Sequence, residues 1–194
     1  MTAKPYHHGD LRDALIAAGE AVLAERGVAG FSLRETARRA GVSPAAPAHH
    51  FGDARGLLTA IATLGFKGLS EVLQAANAMG RDDRHARFLA QGHAYVRYAL
   101  NQPARFDLMW QRELLNNEDP DFQLAGFTAF ALLYELVTGE PIDICDMHDE
   151  TKLIDPRVIA TWSVVHGFAG LARQGSFDAD APGLLDGVLA NLRI

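Results

Sequence analysis

Features that mark secreted, membrane-spanning and catalytic proteins are scarce in this sequence. Its 194 residues include one cysteine, Cys145, so a disulfide framework within the chain is impossible and a reducing compartment is expected. No window approaches the roughly 18 to 20 uninterrupted apolar residues that cross a bilayer, and the N-terminus lacks the apolar segment of a signal peptide. We therefore expect a cytoplasmic protein with no membrane partner.

Catalytic motifs are also missing. The chain contains no P-loop, no dinucleotide-binding glycine motif, no zinc-protease motif and no nucleophile elbow, so we expect neither an enzyme nor a cofactor. Cys145 and His148 in the acidic segment 139–155 are residue types that bind zinc or copper. A solvated acidic loop is the simpler interpretation, and a metal-dependent enzyme remains an alternative.

Positive charge is in short supply, but it is unevenly distributed. The net charge is -6, whereas DNA phosphates require Lys or Arg. Residues 1–56 nevertheless carry seven Lys/Arg against six Asp/Glu, together with four of the eight histidines. The acidic excess thus lies in the remainder of the chain, and the N-terminal part is compatible with a nucleic-acid partner.

What the sequence does have is helical periodicity throughout. Apolar residues recur at the 3.6-residue spacing of amphipathic helices, no segment alternates as a strand does, and prolines stand near several predicted helix starts. The pattern predicts an all-α protein with helices at 11–26, 33–40, 44–50, 54–79, 84–101, 103–116, 120–139, 156–174 and 181–193.

Two of these helices are predicted to form a helix-turn-helix. Ser32 and Glu35 make a capping-box pattern at the start of one helix, and Gly41 ends it. Ser43 is then expected to be the N-cap of the next helix, with Pro44 at its first position. Two helices joined by a glycine-containing turn have the geometry of a DNA-binding motif.

The segment Phe31 to Leu58 resembles the DNA-binding domain of the TetR family. The matching residues are Ser32, Ala37, Ala40, Gly41, Val42, Ser43, His50, Phe51 and Leu57. The first helix is similar too, through Leu11, Ala14, Leu15, Ala18, Glu25 and Gly27. Residues 92–110 and 162–175 resemble the regulatory domain of the branch with a Trp-His-Gly signature, here Trp162, His166 and Gly167.

The resemblance implies a three-helix DNA-binding domain at 1–53 and a helical bundle for ligand binding and dimerisation at 54–194. In such proteins the second helix of the motif lies in the major groove, and a homodimer binds a palindromic operator of double-stranded DNA. The expected base-facing residues are Pro44, Ala45, Ala46 and His49. The expected phosphate contacts are Ser32, Arg34, Ser43, His50 and Arg55, with Lys4 and Arg12 near the flanking groove.

Two departures weaken this expectation. The family commonly has a tyrosine and a lysine where this chain has Ala48 and Ala54, and Pro47 removes an N–H from the recognition helix. Specificity is then expected to depend partly on DNA shape. A helical interaction module that no longer binds DNA is the corresponding alternative.

The C-terminal part is expected to bind an effector and a second copy of the chain. Candidate ligand-binding residues are His93, Phe106, Met109, Trp110, Phe127, Phe130, Tyr134 and His166. For His166 a structural role is favoured, with Gly167 permitting a close helix approach. The last two helices are predicted to form a four-helix dimer interface through Trp162, Val165, Phe168, Leu185 and Leu189. A repressor released by a small-molecule effector is the function that the resemblance implies.

Overall fold

A computed structural model describes residues 8–79 and 83–192 of the chain. Within these ranges the protein has α-helices, three short 3₁₀ turns and no strand, which confirms the predicted all-α fold class. The helices are α1 (His8–Arg26), α2 (Leu33–Ala40), α3 (Ala46–Phe51), α4 (Ala54–Met79), α5 (Arg84–Asn101), α6 (Pro103–Met109), α7 (Pro120–Thr138), α8 (Glu150–Leu153), α9 (Pro156–Arg173) and α10 (Leu184–Leu189).

The bounds of α2 follow from local chemistry. The hydroxyl of Ser32 accepts a hydrogen bond from the backbone N–H of Glu35 at 3.5 Å, which satisfies one of the free donors at the helix start. Gly41 ends the helix in a left-handed conformation, with φ at 68°, which favours glycine. The predicted bounds of α2 are confirmed.

The start of α3 differs from the prediction. Ser43 is not its N-cap: the backbone carbonyl of Ser43 accepts a hydrogen bond from the N–H of Ala46, so a turn precedes the helix. The N-cap is Ala45, which has no capping side chain, and Pro47 lies in the first turn. Because first-turn N–H groups have no partner within a helix, Pro47 costs little there.

Three other predicted segments are shorter or more ordered than expected. The helix predicted at 103–116 ends at Met109, because Trp110 and Gln111 bond to carbonyls three residues back and a 3₁₀ turn follows. The helix predicted at 181–193 begins only after Gly183, whose φ is 72°. The acidic segment 139–155 contains a 3₁₀ turn and the short helix α8.

The chain divides into two compact units. The first contains the described residues up to Gly65 together with Ala104–Phe122, and the second contains Phe66–Pro103 and the described residues from Gln123 onward. In the first unit α1 packs against α2, and α2 against α3. In the second unit α9 packs along α5, and α10 contacts both.

Helix α4 is long and apolar enough to cross a membrane by length and composition alone. However, 61% of its apolar window is buried inside the protein, and Leu57 and Ile61 are completely inaccessible. These properties are those of a core helix.

Candidate nucleic-acid interface and effector site

The segment that the sequence predicts to read bases is open to solvent. Four of its residues are exposed: Pro44, Ala45, Ala48 and His49. Pro47 is buried, whereas Ala46 and His50 are half-buried. The segment is therefore available to a partner, and its outward face differs from the predicted one because it includes Ala48 and only part of Ala46.

Aromatic contacts fix the end of α3. The rings of His49 and His50 lie 5.5 Å apart in an edge arrangement, and His50 contacts Phe51. The guanidinium of Arg12 lies 5.3 Å from the centre of the Phe51 ring, a cation–π distance. Arg12, expected near the flanking groove, therefore connects α1 to the recognition helix, while Lys4 lies outside the described residues.

The predicted phosphate-contacting residues on and beside α2 differ in their exposure and in their hydrogen bonds within the chain. Arg34 is exposed, and no residue in the described ranges forms an ion pair or a hydrogen bond with its guanidinium. Ser32 is half-buried and its oxygen serves the helix cap, and Ser43 is exposed. Arg34 is thus the α2 arginine whose donors are open to an external anion.

The other two arginines of α2 are held by acids. Arg38 donates from Nε and Nη2 to the two carboxylate oxygens of Glu35 at 2.8 Å. Arg39 donates to Glu35 at 2.9 Å and also pairs with Glu25. Hydrogen bonds from Arg38 and Arg39 lower the pKa of Glu35 to about 2. This ion-pair network joins α1 to α2 and compensates much of the positive charge of both arginines.

Arg55 is exposed and also has a partner within the first unit. Its Nη2 donates to the backbone carbonyl of Glu113 at 3.1 Å. The predicted phosphate contact of Arg55 therefore shares its donors with this carbonyl.

Residues 104–122 belong to the same unit as the helix-turn-helix, which the sequence did not predict. Arg105 on α6 donates from Nε to Glu20 on α1 at 2.8 Å, and the N–H of Asn116 bonds to the hydroxyl of Thr59 on α4 at 2.9 Å. Met109 approaches Gly65 so closely that an added Cβ would lie 2.7 Å from its sulfur. Segment 104–122 is therefore fixed to α1 and α4.

This placement divides the predicted ligand-binding residues. Phe106 and Met109 belong to the first unit and are 2% and 1% exposed, and the Phe106 and Trp110 rings meet edge-on at 5.8 Å. Phe127, Phe130 and Tyr134 are half-buried on α7 in the second unit. Three of the eight predicted residues therefore lie in the first unit and five in the second.

His93 stands apart from the other candidates. It is exposed on α5, and its Nε2 lies 2.7 Å from the carboxylate of Asp186 on α10. Close packing supports the same contact, because an added Cβ at Gly92 would lie 2.5 Å from Leu189. His93 therefore links α10 to α5 through Asp186, and its predicted ligand contact stays a prediction.

His166 belongs to a hydrogen-bonded network between α5 and α9. The hydroxyl of Tyr95 lies 2.8 Å from Nδ1 of His166, and the Trp162 side chain also bonds to Tyr95. An indole N–H can only donate, so the Tyr95 hydroxyl oxygen accepts from Trp162 and also forms a hydrogen bond with Nδ1 of His166. Burial raises the pKa of Tyr95 above its usual range, which keeps the hydroxyl protonated.

Four of the five residues predicted to form the dimer interface are buried within one chain. Val165, Phe168, Leu185 and Leu189 are between 1% and 6% exposed, and Trp162 is half-buried. They therefore fill the core of the second unit, because α9 and α10 use their strongest apolar faces against α5. Gly167 makes no close approach within the described chain, since an added Cβ would meet no atom within 4 Å.

The acidic loop shows no metal-binding geometry among the described residues. No three His, Cys, Asp or Glu side chains come together there as potential ligands. Cys145 is exposed, and hydrogen bonding and charge from Asp143 raise the pKa of its thiol. Lys152 instead pairs with Asp146 at 2.5 Å.

Two family models match the chain. Residues 15–61 match "Bacterial regulatory proteins, tetR family", and residues 88–192 match "Tetracyclin repressor-like, C-terminal domain". The second match covers more than half of the chain. A comparison with curated proteins finds no match.

Solved structures resemble the chain over nearly its full length. A protein of unknown function from Rhodococcus sp. RHA1 is 35% identical, with 97% of this chain and 94% of that chain covered and a TM-score of 0.75. A TetR family transcription regulator from Marinobacter aquaeolei VT8 is 19% identical, covers 94% and 93%, and has a TM-score of 0.66. The multidrug-binding protein EbrR in complex with ethidium is 18% identical, covers 95% and 96%, and has a TM-score of 0.64.

These matches confirm the predicted family and the predicted DNA-binding helix-turn-helix, and they identify a C-terminal domain of the ligand-binding kind. Members of this family are regulators without enzymatic activity, so the prediction that the chain is not an enzyme holds. The chain belongs to the TetR family of DNA-binding transcriptional regulators.

Proposed function

We propose that the protein is a cytoplasmic repressor that binds a palindromic operator as a homodimer and leaves it when a small-molecule effector binds. The observation that carries this proposal is the exposure of Pro44, Ala45, Ala48 and His49 on the recognition segment. In a helix-turn-helix dimer these surfaces enter major grooves about one helical turn apart. We propose that residues 1–53 form the DNA-binding domain and that residues 54–194 form the regulatory and dimerisation domain.

The operator contacts that we propose include bases and phosphates. The base-facing set is Pro44, Ala45, Ala46 and His49, now with Ala48. The phosphate set is Ser32, Arg34, Ser43, His50 and Arg55. Arg34 is expected to contribute most to affinity, because it is exposed and no described residue pairs with it.

The dimer is proposed to form through the outward side of α9. The described residues of this side include Ile159 and Leu171, which are 38% and 49% exposed, and the small residues Ser163 and Gly167 lie between them at helical spacing. Added Cβ atoms at Gly167 and Gly170 would meet nothing within 4 Å. A second helix can approach closely over such a surface, which suits a four-helix interface.

The effector is proposed to be a small molecule with aromatic or cationic character. Half-buried Phe127, Phe130 and Tyr134 offer ring faces on α7, and such faces bind apolar or cationic groups. The fold is shared with EbrR, a multidrug-binding protein seen with ethidium. This likeness supports the class of ligand but names no particular effector.

Trp162, His166 and Gly167 are proposed to place the chain in the Trp-His-Gly branch. Trp162 and His166 both bond to Tyr95, so the first two signature residues tie α9 to α5. An effector that prefers one arrangement of the second unit then shifts the population away from DNA binding.

The test is a selection of genomic DNA fragments with the purified full-length protein, followed by a salt titration of the best fragment. The proposal predicts one enriched palindromic sequence and an affinity that falls steeply with salt. The interaction module without DNA binding, favoured by Ala48 and Ala54, predicts no enrichment. The metal-dependent enzyme suggested by Cys145 and His148 predicts that chelation changes activity, whereas our proposal predicts unchanged operator binding after chelation.

A further inference from the structure

The outward surface of the recognition segment consists almost entirely of hydrocarbon. Ala45, Ala48 and His49 lie at positions i, i+3 and i+4 and are all exposed, so they share one helical face. Pro44 precedes them and is also exposed. His49 is the one polar side chain of this face, which has no Arg, Lys, Asn or Gln within residues 44–51.

An alanine methyl group can distinguish few features of a base pair. In the major groove, base edges present hydrogen-bond donors, acceptors and the C5-methyl group of thymine. A methyl group placed against a donor or acceptor removes water without replacing its hydrogen bond, which is unfavourable. Placed against another methyl group, it buries apolar surface and gains affinity.

We propose that Ala45 and Ala48 select pyrimidines that carry a C5-methyl group in each half-site, and that His49 donates to an acceptor on a neighbouring purine. The inference rests on the proposed function, since it requires operator binding by two copies of α3. Thymine and 5-methylcytosine both carry the methyl group, so the recognised chemistry is the methyl group itself. Burial of one methyl corresponds to about a fourfold gain in affinity, and a symmetric pair in a dimer site gives about 15-fold.

The experiment uses the full chain and the palindromic fragment obtained by genomic selection. Each symmetric pair of thymines is replaced by deoxyuridine, which removes only the methyl group, and dissociation constants are measured by fluorescence anisotropy at fixed salt. The selected cytosines are replaced in a second arm by 5-methylcytosine. We expect one or two thymine pairs per site to show a loss of about 15-fold, or one cytosine pair to show a gain of similar size.

Substitutions of Ala45 and Ala48 test whether these two residues cause the preference for the C5-methyl group. Ala48→Ser keeps the Cβ and the helix but presents a hydroxyl, and Ala45→Gly removes the methyl group. At the base position that the substituted alanine contacts, each variant should bind operators with thymine and with deoxyuridine with equal affinity. Ala75→Gly is the matched control, because Ala75 is an exposed alanine of α4 outside the recognition segment, and it should discriminate as the wild type does.

Two failures can be told apart. Strong binding to a selected palindrome that is indifferent to every deoxyuridine and 5-methylcytosine replacement would overturn this inference and leave the proposed function standing. Absence of any enriched fragment would overturn the proposed function and the inference with it. Discrimination that persists in both Ala45→Gly and Ala48→Ser would also overturn the assignment to these two residues.

Discussion

Replacing Arg34 by alanine should change how operator affinity depends on salt. Arg34 is exposed, and no described residue neutralises its charge, so in the complex each copy can neutralise one phosphate. Each neutralised phosphate adds about 0.9 to the slope of log affinity against log salt concentration. A dimer without its two Arg34 side chains should therefore lose about 1.8 from the slope. Between 50 and 200 mM salt, the affinity of the variant should fall about 12-fold less than that of the wild type.

The assay is a fluorescence anisotropy titration of the selected operator at several salt concentrations. Arg38→Ala is the matched control, because Arg38 lies one turn further along α2 and both its bonded nitrogens are 2.8 Å from the Glu35 carboxylate. Because the Glu35 carboxylate already compensates the charge of Arg38, the Arg38→Ala variant is expected to show the wild-type slope. An unchanged slope in Arg34→Ala, or a larger change in Arg38→Ala, would refute the reasoning.

Three further changes test the fold around the sites. Tyr95→Phe removes the hydroxyl that bonds to the Trp162 side chain and to Nδ1 of His166 and should lower the free energy of unfolding by about 1–3 kcal/mol in denaturant titrations; a value equal to the wild type would argue against the network. Leu189→Ala opens a cavity at a residue 1% exposed and should cost about 2–5 kcal/mol in the same assay, whereas lost dimerisation with full stability would place Leu189 at an interface. The pKa of Glu35 is lowered from its usual 4.5 to about 2. Its ion pairs therefore stabilise the fold fully above pH 4.5, and this stabilisation is lost as the pH falls towards about 2. Glu35→Gln should accordingly flatten the fall of the melting temperature over that range, and an unaltered pH profile would contradict the ion-pair assignment.

Elements whose ends are set by nearby residues could be predicted from the sequence. The bounds of α2 depend on Ser32 and Gly41, which act within a turn of themselves. The start of α3 could not be predicted in the same way, because Ser43 can serve either as a side-chain cap or as a backbone acceptor. The structure uses its carbonyl, and nothing in the local pattern distinguishes the two.

Contacts between distant residues escaped prediction. Arg105 and Glu20 are separated by 85 residues, so no periodicity reveals that α6 belongs with the DNA-binding unit. The apolar stripes of α9 and α10 were predicted to be dimer surface, because a stripe does not state whether its partner is the same chain or another. Leu185 and Leu189 pack within the chain, which leaves other residues of α9 for a second copy.

The most direct test of the account is a hydroxyl-radical footprint of the full-length protein on its selected operator, combined with the stoichiometry of the complex by sedimentation. We expect two protected segments about one helical turn apart and two chains bound per palindrome. A single protected segment with one chain bound, or specific binding that persists when the recognition segment is altered by His49→Ala and Ala45→Glu together, would contradict dimeric binding through this segment.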